Sequence, residues 1–257
     1  VTVRNLMEVA RAQATAEAGI RLAMLGLMES DEDTRWRADG TPYQIQFGEA
    51  SLRIRIRDES GRIDINEASP ELIDGALLSV GLQDPGERAA LRDNILGWRG
   101  DGPHSNSDVS AEQYRSAGLD YGPRNGPFAS AEELMLIPGM TPTIYRRLLP
   151  LVTTHSGEGN IDIRSASRLV LMSLPGVDPD AVDAYLAERE AAREQGLPIP
   201  EFPESGTGAS DTGIYSVESV SRLPSGLEQG VRVSMRAERS PNLEPFRIVH
   251  YRLDQAF

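Results

Sequence analysis

Hydrophobic positions near the start of the chain recur at alternating three- and four-residue steps. This spacing predicts one long amphipathic helix with a single polar interruption. Since helices pair through such stripes, its side chains are the candidate contacts with a partner helix, and the alternative is that the stripe packs on a sheet of the same chain. The stripe consists of Leu6, Val9, Gln13, Ala16, Ile20, Ala23 and Leu27.

Apolar and polar residues alternate strictly in two distant parts of the chain, which is typical of half-buried strands. Residues 44–57 predict a β-hairpin, and residues 215–250 predict further strands separated by breaks rich in Pro, Gly and Ser. Neither group alone has enough strands for a stable core, so one shared sheet is favoured over two separate sheets. Between about residues 63 and 197 the periodicity is helical.

The pattern Gly-x-Ile-Asp-Ile-x-x-Ala-Ser occurs twice, as Gly61–Ser69 and as Gly159–Ser167. Each copy predicts a short extended piece followed by a helix whose N-cap is the final serine. A third, partial copy ends at Ser130, where Ser130 and Glu133 fit the S-x-x-E capping box. The repeat therefore divides the helical part of the chain.

Three segments in the helical part predict a helix, a tight turn and a second helix. Each second helix is expected to begin with a capping side chain followed by proline, because proline needs no N–H at the first helical position. These starts are Asp84–Pro85, Thr141–Pro142 and Asp178–Pro179. The segments resemble helix-hairpin-helix units, which pack against each other or bind DNA backbones without sequence preference.

DNA binding is the alternative function that this pattern leaves open. The turns lack the second glycine of phosphate-binding hairpins, and only the middle unit offers cations, Arg146 and Arg147. The net charge of −13 also repels phosphate backbones. Packing of the hairpins within the protein is therefore the favoured interpretation.

Composition narrows the possible activities of this chain of 257 residues. It contains no cysteine, which excludes disulfides, thiol nucleophiles and thiolate metal sites. The three histidines lie in no metal-ligand spacing and no nucleophile elbow is present, so no enzyme is predicted. No stretch reaches the roughly 20 apolar residues of a membrane span. Residue 1 is Val, which indicates a processed or trimmed chain and is compatible with an anchor removed together with the missing end.

Residues 97–128 form a long irregular stretch with several carboxylates. Such oxygen ligands suit calcium, although their spacing matches no EF-hand loop. A solvated acidic loop is the alternative interpretation. The candidate ligands are Asp101, Asp108, Glu112 and Asp120.

Taken together, these segments resemble the minor pseudopilin K family of bacterial type II secretion systems. The resemblance covers nearly the whole chain. It depends on residues 4–28, 58–66, 95–114, 124–127, 132–134 and 159–167.

The resemblance implies an α+β fold with a pilin-like N-terminal helix on an antiparallel sheet and a large inserted α-domain with SAM-like or helix-hairpin-helix portions. The expected domains are residues 1–62 for the helix and first strands, 63–210 for the insert and 211–257 for the returning strands. Within the insert, the expected portions are about 63–157 and 158–200, followed by a linker.

The resemblance also implies a non-enzymatic role at the tip of the pseudopilus, together with I- and J-type minor pseudopilins. The chain would be the periplasmic domain of a protein anchored in the inner membrane by a missing N-terminal helix. The family resembles a calcium binder, for which Asp101 and Glu112 match directly, while Asp108 and Asp120 are assigned from proximity.

Overall fold

The computed structural model describes residues 3–31, 34–101, 112, 114–202, 212–238 and 245–254. The chain divides into two compact units, residues 1–59 with 211–257 and residues 60–210. In chain order the elements are α1 (Val3–Met28), β1 (Asp39–Phe47), β2 (Ala50–Asp58), a 3-10 turn (Glu59–Gly61), β3 (Ile63–Asp64), α2 (Pro70–Ser79), α3 (Pro85–Arg99), a 3-10 helix (Ala131–Leu136), α4 (Pro142–Leu148), β4 (Val152–Thr153), α5 (Arg168–Leu171), α6 (Pro179–Glu194), β5 (Ile214–Arg222), β6 (Glu228–Ala237) and β7 (Phe246–Asp254).

In the first unit, the strands from both ends of the chain form one sheet in the order β1-β2-β5-β6-β7. Every neighbouring pair is antiparallel. Helix α1 packs across β2, β5 and β6. The helix approaches β5 closely at Gly19, where an added Cβ would lie only 2.1 Å from Ser219 Oγ, so a side chain at this position would force its neighbours to move.

Strand β7 has a bulge, that is, one residue more than the facing part of β6. This bulge changes which side chains of β7 face α1. His250 pairs with Ser234, whereas Ile248 pairs with the next residue of β6, Met235. Opposed residues of an antiparallel pair share a face of the sheet, and a bulge shifts that alternation. Tyr251 therefore joins Ile248 on the helix-facing side, and the strict alternation of the sequence does not reveal this.

The second unit is helical apart from the two-stranded parallel sheet β3-β4. Its helices begin where the sequence predicts. Asp84, Thr141 and Asp178 accept first-turn N–H groups ahead of α3, α4 and α6. Ser69 and Ser167 likewise cap α2 and α5. The three hairpin turns contain Gly81, Gly139 and Gly176, all with positive φ.

The capping box predicted at Ser130 is wrong. Residues 131–136 form a 3-10 helix, and the Ser130 side chain makes no cap hydrogen bond. Glu133 instead accepts from the Trp98 Nε1–H at 3.1 Å and pairs with Arg124. The carboxylate therefore binds side chains 35 and 9 residues away, together with the N–H of Ala129 at 3.3 Å.

The fold class predicted from the sequence is confirmed: a long N-terminal helix on an antiparallel sheet, with a helical segment between the strands. Within the part of the chain that the structure describes, no helix combines the length and the apolar character that crossing a bilayer requires.

Candidate functional site

The two halves of α1 differ in what their apolar side chains contact. In the second half, Ala16, Ile20 and Ala23 are buried in the core that α1 shares with the sheet. In the first half, Leu6 is 60% exposed and Val9 is 40% exposed. An apolar stripe therefore continues from the core of the unit onto its surface, and the surface part is available to another protein.

The structure corrects part of the predicted partner contact. Ala16, Ile20 and Ala23 cannot also reach a partner, because β2, β5 and β6 already cover them. Leu27 is half-buried against the same core, and Gln13 Nε2 donates to Glu17 Oε1 at 3.0 Å. The partner interface stays a prediction for the exposed positions, Leu6 and Val9.

A groove of about 650 Å³ runs between α1 and β7 in the same unit. Its floor is apolar and its rims are charged. Within it the Tyr251 hydroxyl donates to Glu17 Oε1 at 2.8 Å. Burial, followed by this hydrogen bond to a carboxylate, raises the pKa of Tyr251. The lining residues include Ile20, Met24, Phe246, Ile248 and Tyr251.

The sequence repeat folds into the same local structure in both copies. Asp64 Oδ1 accepts the N–H of Asn66 at 2.9 Å, and Asp162 Oδ1 accepts the N–H of Arg164 at 3.0 Å. The two aspartates are buried, and their backbone carbonyls accept the N–H groups of Ala68 and Ala166. The Asp shared by the two copies thus forms the turn in each of them.

Each copy of the repeat is held by an arginine that the sequence analysis missed. Arg99, at the end of α3, donates to the carbonyls of Ile65 and Ala68 at 2.8 and 2.9 Å. In the second copy, Arg189 of α6 donates to the carbonyls of Ile163 and Ala166, both at 2.8 Å.

The pairs of carbonyls that the two arginines bind occupy equivalent positions in the repeat. Both arginines lie on the second helix of a predicted hairpin. That shared placement is the signal that could have identified them.

The cations of the middle hairpin are engaged by the protein's own carbonyls. Arg147 Nη1 donates to the Val80 carbonyl at 3.1 Å, and Arg146 Nε donates to the Pro142 carbonyl at 3.2 Å. A phosphate-binding hairpin needs such cations to face a ligand. Nothing in the part of the chain that the structure describes favours the DNA-binding alternative.

The predicted calcium ligands are described only in part. Asp101 lies 2.9 Å from Arg99 Nε, and Glu112 pairs with Arg115. Asp120 is exposed, and Asp108 lies outside the described residues. Among the described residues, no three carboxylate or histidine side chains come together. The described ligands thus do not fit a calcium cage, and the calcium site stays a prediction.

Comparison with known proteins agrees with the family inferred from the sequence. Residues 57–156 match the family model of the type II secretion system, protein K. The type II secretion system protein K of Pseudomonas aeruginosa is 27% identical, over 72% of this chain and 62% of that protein. The chain therefore covers less than two thirds of that relative's length.

A solved structure shares the whole fold. It is a chain in the crystal structure of the GspK-GspI-GspJ complex from the type 2 secretion system of enterotoxigenic Escherichia coli. The TM-score is 0.65 at 14% identity, over 98% of this chain and 99% of that chain. The inferred resemblance is therefore confirmed: the chain is similar in sequence to type II secretion system protein K and similar in fold to a chain of that complex.

Proposed function

We propose that this chain is a minor pseudopilin of a type II secretion system. In this role it assembles with I- and J-type minor pseudopilins at the tip of the pseudopilus. It acts there as a structural, non-enzymatic component that helps to start and cap the pseudopilus during protein export. The proposed location is the periplasm, with the full-length protein held in the inner membrane by a segment outside this chain.

The two halves of α1 are the observation that carries this proposal. The half near residue 20 completes the core of its own unit, while the half near residue 6 presents apolar side chains to solvent. The apolar stripe of α1 is continuous, but it is buried in the second half of the helix and exposed in the first half. Such a helix suits assembly through helix pairing. The match to protein K and the fold shared with a chain of the GspK-GspI-GspJ complex support the same role.

The test is a substitution in the open half of the helix. Leu6→Glu keeps a good helix former and places a charge on the stripe, so the helix should stay folded while partner binding is lost. The chain is co-produced with candidate I- and J-type pseudopilins, and complex formation is measured by co-elution. We expect the variant to elute alone.

The matched control is Leu25→Glu. Leu25 is 63% exposed, against 60% for Leu6, and it lies on the same helix outside the predicted stripe. The control should co-elute as the unchanged chain does. Loss of the complex in both variants, or in neither, would contradict the assignment of the interface to the stripe. If the unchanged chain itself fails to co-elute, the proposed function is wrong.

A further inference from the structure

We infer that the groove between α1 and β7 receives an amphipathic helix from a different protein chain. This inference rests on the proposed function, because the partner chains expected there are other pseudopilins. It assigns them a second contact surface, separate from the exposed stripe at Leu6 and Val9. Its floor is formed by Ile248 and Tyr251, which line the groove, and Leu253 continues the same face of β7 beyond it.

The side chains of Ile248, Tyr251 and Leu253 face the helix side of the sheet without a helix above them. They pair with Met235, Val233 and Val231 of β6, all of which are buried beneath α1. Opposed side chains share a face of an antiparallel pair. Nevertheless, Ile248, Tyr251 and Leu253 remain 47%, 44% and 46% exposed.

The distance from β5 to β7 matches the distance between two packed helices. Helix α1 packs across β2, β5 and β6, so the middle strand beneath it is β5. Strand β7 lies two strands further along the sheet, a distance of about 10 Å for strands about 4.8 Å apart. Packed helices have interaxial distances of about 8–10 Å. The open face over β7 is therefore the position that a second helix beside α1 would take.

An added strand does not fit the open face over β7 as its main occupant. A strand would pair with the backbone of β7 at the sheet edge. It would leave the apolar side chains over β7 uncovered. A helix laid in the groove covers them, and it also contacts Met24, which lines the α1 side.

The charges of the chain and of the two rims of the groove determine which occupant fits. The net charge of −13 disfavours a second copy of the same chain as the occupant, since like charges repel. On the α1 rim, Arg21 is exposed and forms no ion pair with any residue that the structure describes. On the opposite rim, Arg247 already pairs with Glu238 at 3.3 Å. The occupant is thus an apolar-striped helix with a carboxylate opposite Arg21.

A single cysteine provides the direct test, because the chain has none of its own. Ile248→Cys is labelled with a benzophenone photocrosslinker and irradiated in the complex with co-produced I- and J-type pseudopilins. The control is Phe47→Cys. Phe47 is 45% exposed and lies on β1, the opposite edge of the same sheet. We expect a crosslink from position 248 only, to a peptide within a helix of a partner.

Affinity gives a second readout. Ile248→Glu should weaken partner binding at least about tenfold, whereas Phe47→Glu should leave it within about twofold. Both variants should unfold at the temperature of the unchanged chain, since both positions are half exposed. Reversal of charge in Arg21→Glu should weaken binding by a smaller factor.

Each remaining outcome overturns the inference in a distinguishable way. A crosslink to another copy of this chain, or to a partner strand, would assign a different occupant. Intact complexes without a crosslink from position 248 would overturn the inference and leave the proposed function standing. Failure of the unchanged chain to form any complex would overturn both.

Discussion

The two copies of the repeat, Gly61–Ser69 and Gly159–Ser167, have the same backbone structure but different surroundings. In both, an aspartate forms the turn, an arginine from a distant helix binds two carbonyls and a serine caps the next helix. The difference begins at the second carboxylate oxygen of the aspartate. The pattern therefore encodes the local turn, while the neighbours of each copy determine how much that turn stabilises the unit.

The first copy is built into the unit by long-range bonds. Asp64 Oδ2 accepts from Ser156 Oγ at 3.1 Å and from the N–H of Gly157 at 2.7 Å. Asn66 also exchanges two hydrogen bonds with the backbone of Phe128. Together these bonds connect segments 62 to 93 residues apart.

The second copy satisfies its aspartate locally. The Arg164 side chain, at the position equivalent to Asn66, pairs with both oxygens of Asp162 at 2.9 Å. This arginine side chain is 44% exposed. Water can therefore replace the pair far more readily than it can replace the bonds of Asp64.

The sharpest test of this difference, with the largest expected effect, is the pair Asp64→Ala and Asp162→Ala. Removing Asp64 leaves the buried Ser156 hydroxyl and the N–H groups of Asn66 and Gly157 without their acceptor, which should cost about 3–5 kcal/mol of unfolding free energy. Removing Asp162 should cost about 1–2 kcal/mol, because Arg164 can turn to solvent. Urea unfolding of the second unit can be followed through Trp98 alone in a Trp36→Phe background. Equal losses of unfolding free energy would show that the neighbours of each copy do not affect how much its turn stabilises the unit.

Much of this architecture was predictable because its signals are local. The caps at Ser69 and Ser167 and the Asp-Pro and Thr-Pro helix starts involve residues within one turn of each other, and the structure has them where the sequence predicts. Strand alternation correctly predicted that the sheet has strands from both ends of the chain. These features depend on backbone preferences that a short segment carries by itself.

The features that escaped prediction depend on contacts between distant segments. Arg99 and Arg189 reach carbonyls 23 to 34 residues away, and no spacing rule gives that distance. Glu133 matched a capping box in sequence, but a tryptophan and an arginine from other segments bind its carboxylate. The bulge in β7 likewise requires knowledge of its pairing with β6. For the partner surface, the sequence predicted the stripe on α1, and its role as an interface stays a prediction for the exposed Leu6 and Val9.

Alanine substitution of the first glycine of each copy tests the backbone contact between the two copies. Its expected effect on stability is intermediate. An added Cβ at Gly61 would lie 2.6 Å from the carbonyl carbon of Ser165, whereas one at Gly159 would lie 3.1 Å from the carbonyl oxygen of Glu67. Residues 165 and 67 occupy equivalent positions in the repeat, so the contact is roughly reciprocal.

Gly61→Ala should lower the free energy of unfolding by about 2–3 kcal/mol, since the backbone at Ser165 must move. Gly159→Ala should lower it by about 1 kcal/mol or less. The measurement is urea unfolding in the same Trp36→Phe background. Gly97→Ala, a helical site with no heavy atom within 4 Å, is the control and should stabilise slightly. A larger loss at residue 159 than at residue 61 would reverse the inferred tightness of the two contacts.

The smallest effect should come from the caps, which the two copies share most closely. Ser69 Oγ accepts from the Leu72 N–H at 3.2 Å, and Ser167 Oγ accepts from the Val170 N–H at 3.4 Å. Ser69→Ala should cost about 1 kcal/mol, as is usual for a lost N-cap. Ser167→Ala should cost less, because its bond is longer and α5 has only four residues, against ten in α2. The same urea titration measures both, and a greater loss for Ser167→Ala would show that the short helix depends on its cap more than on its packing.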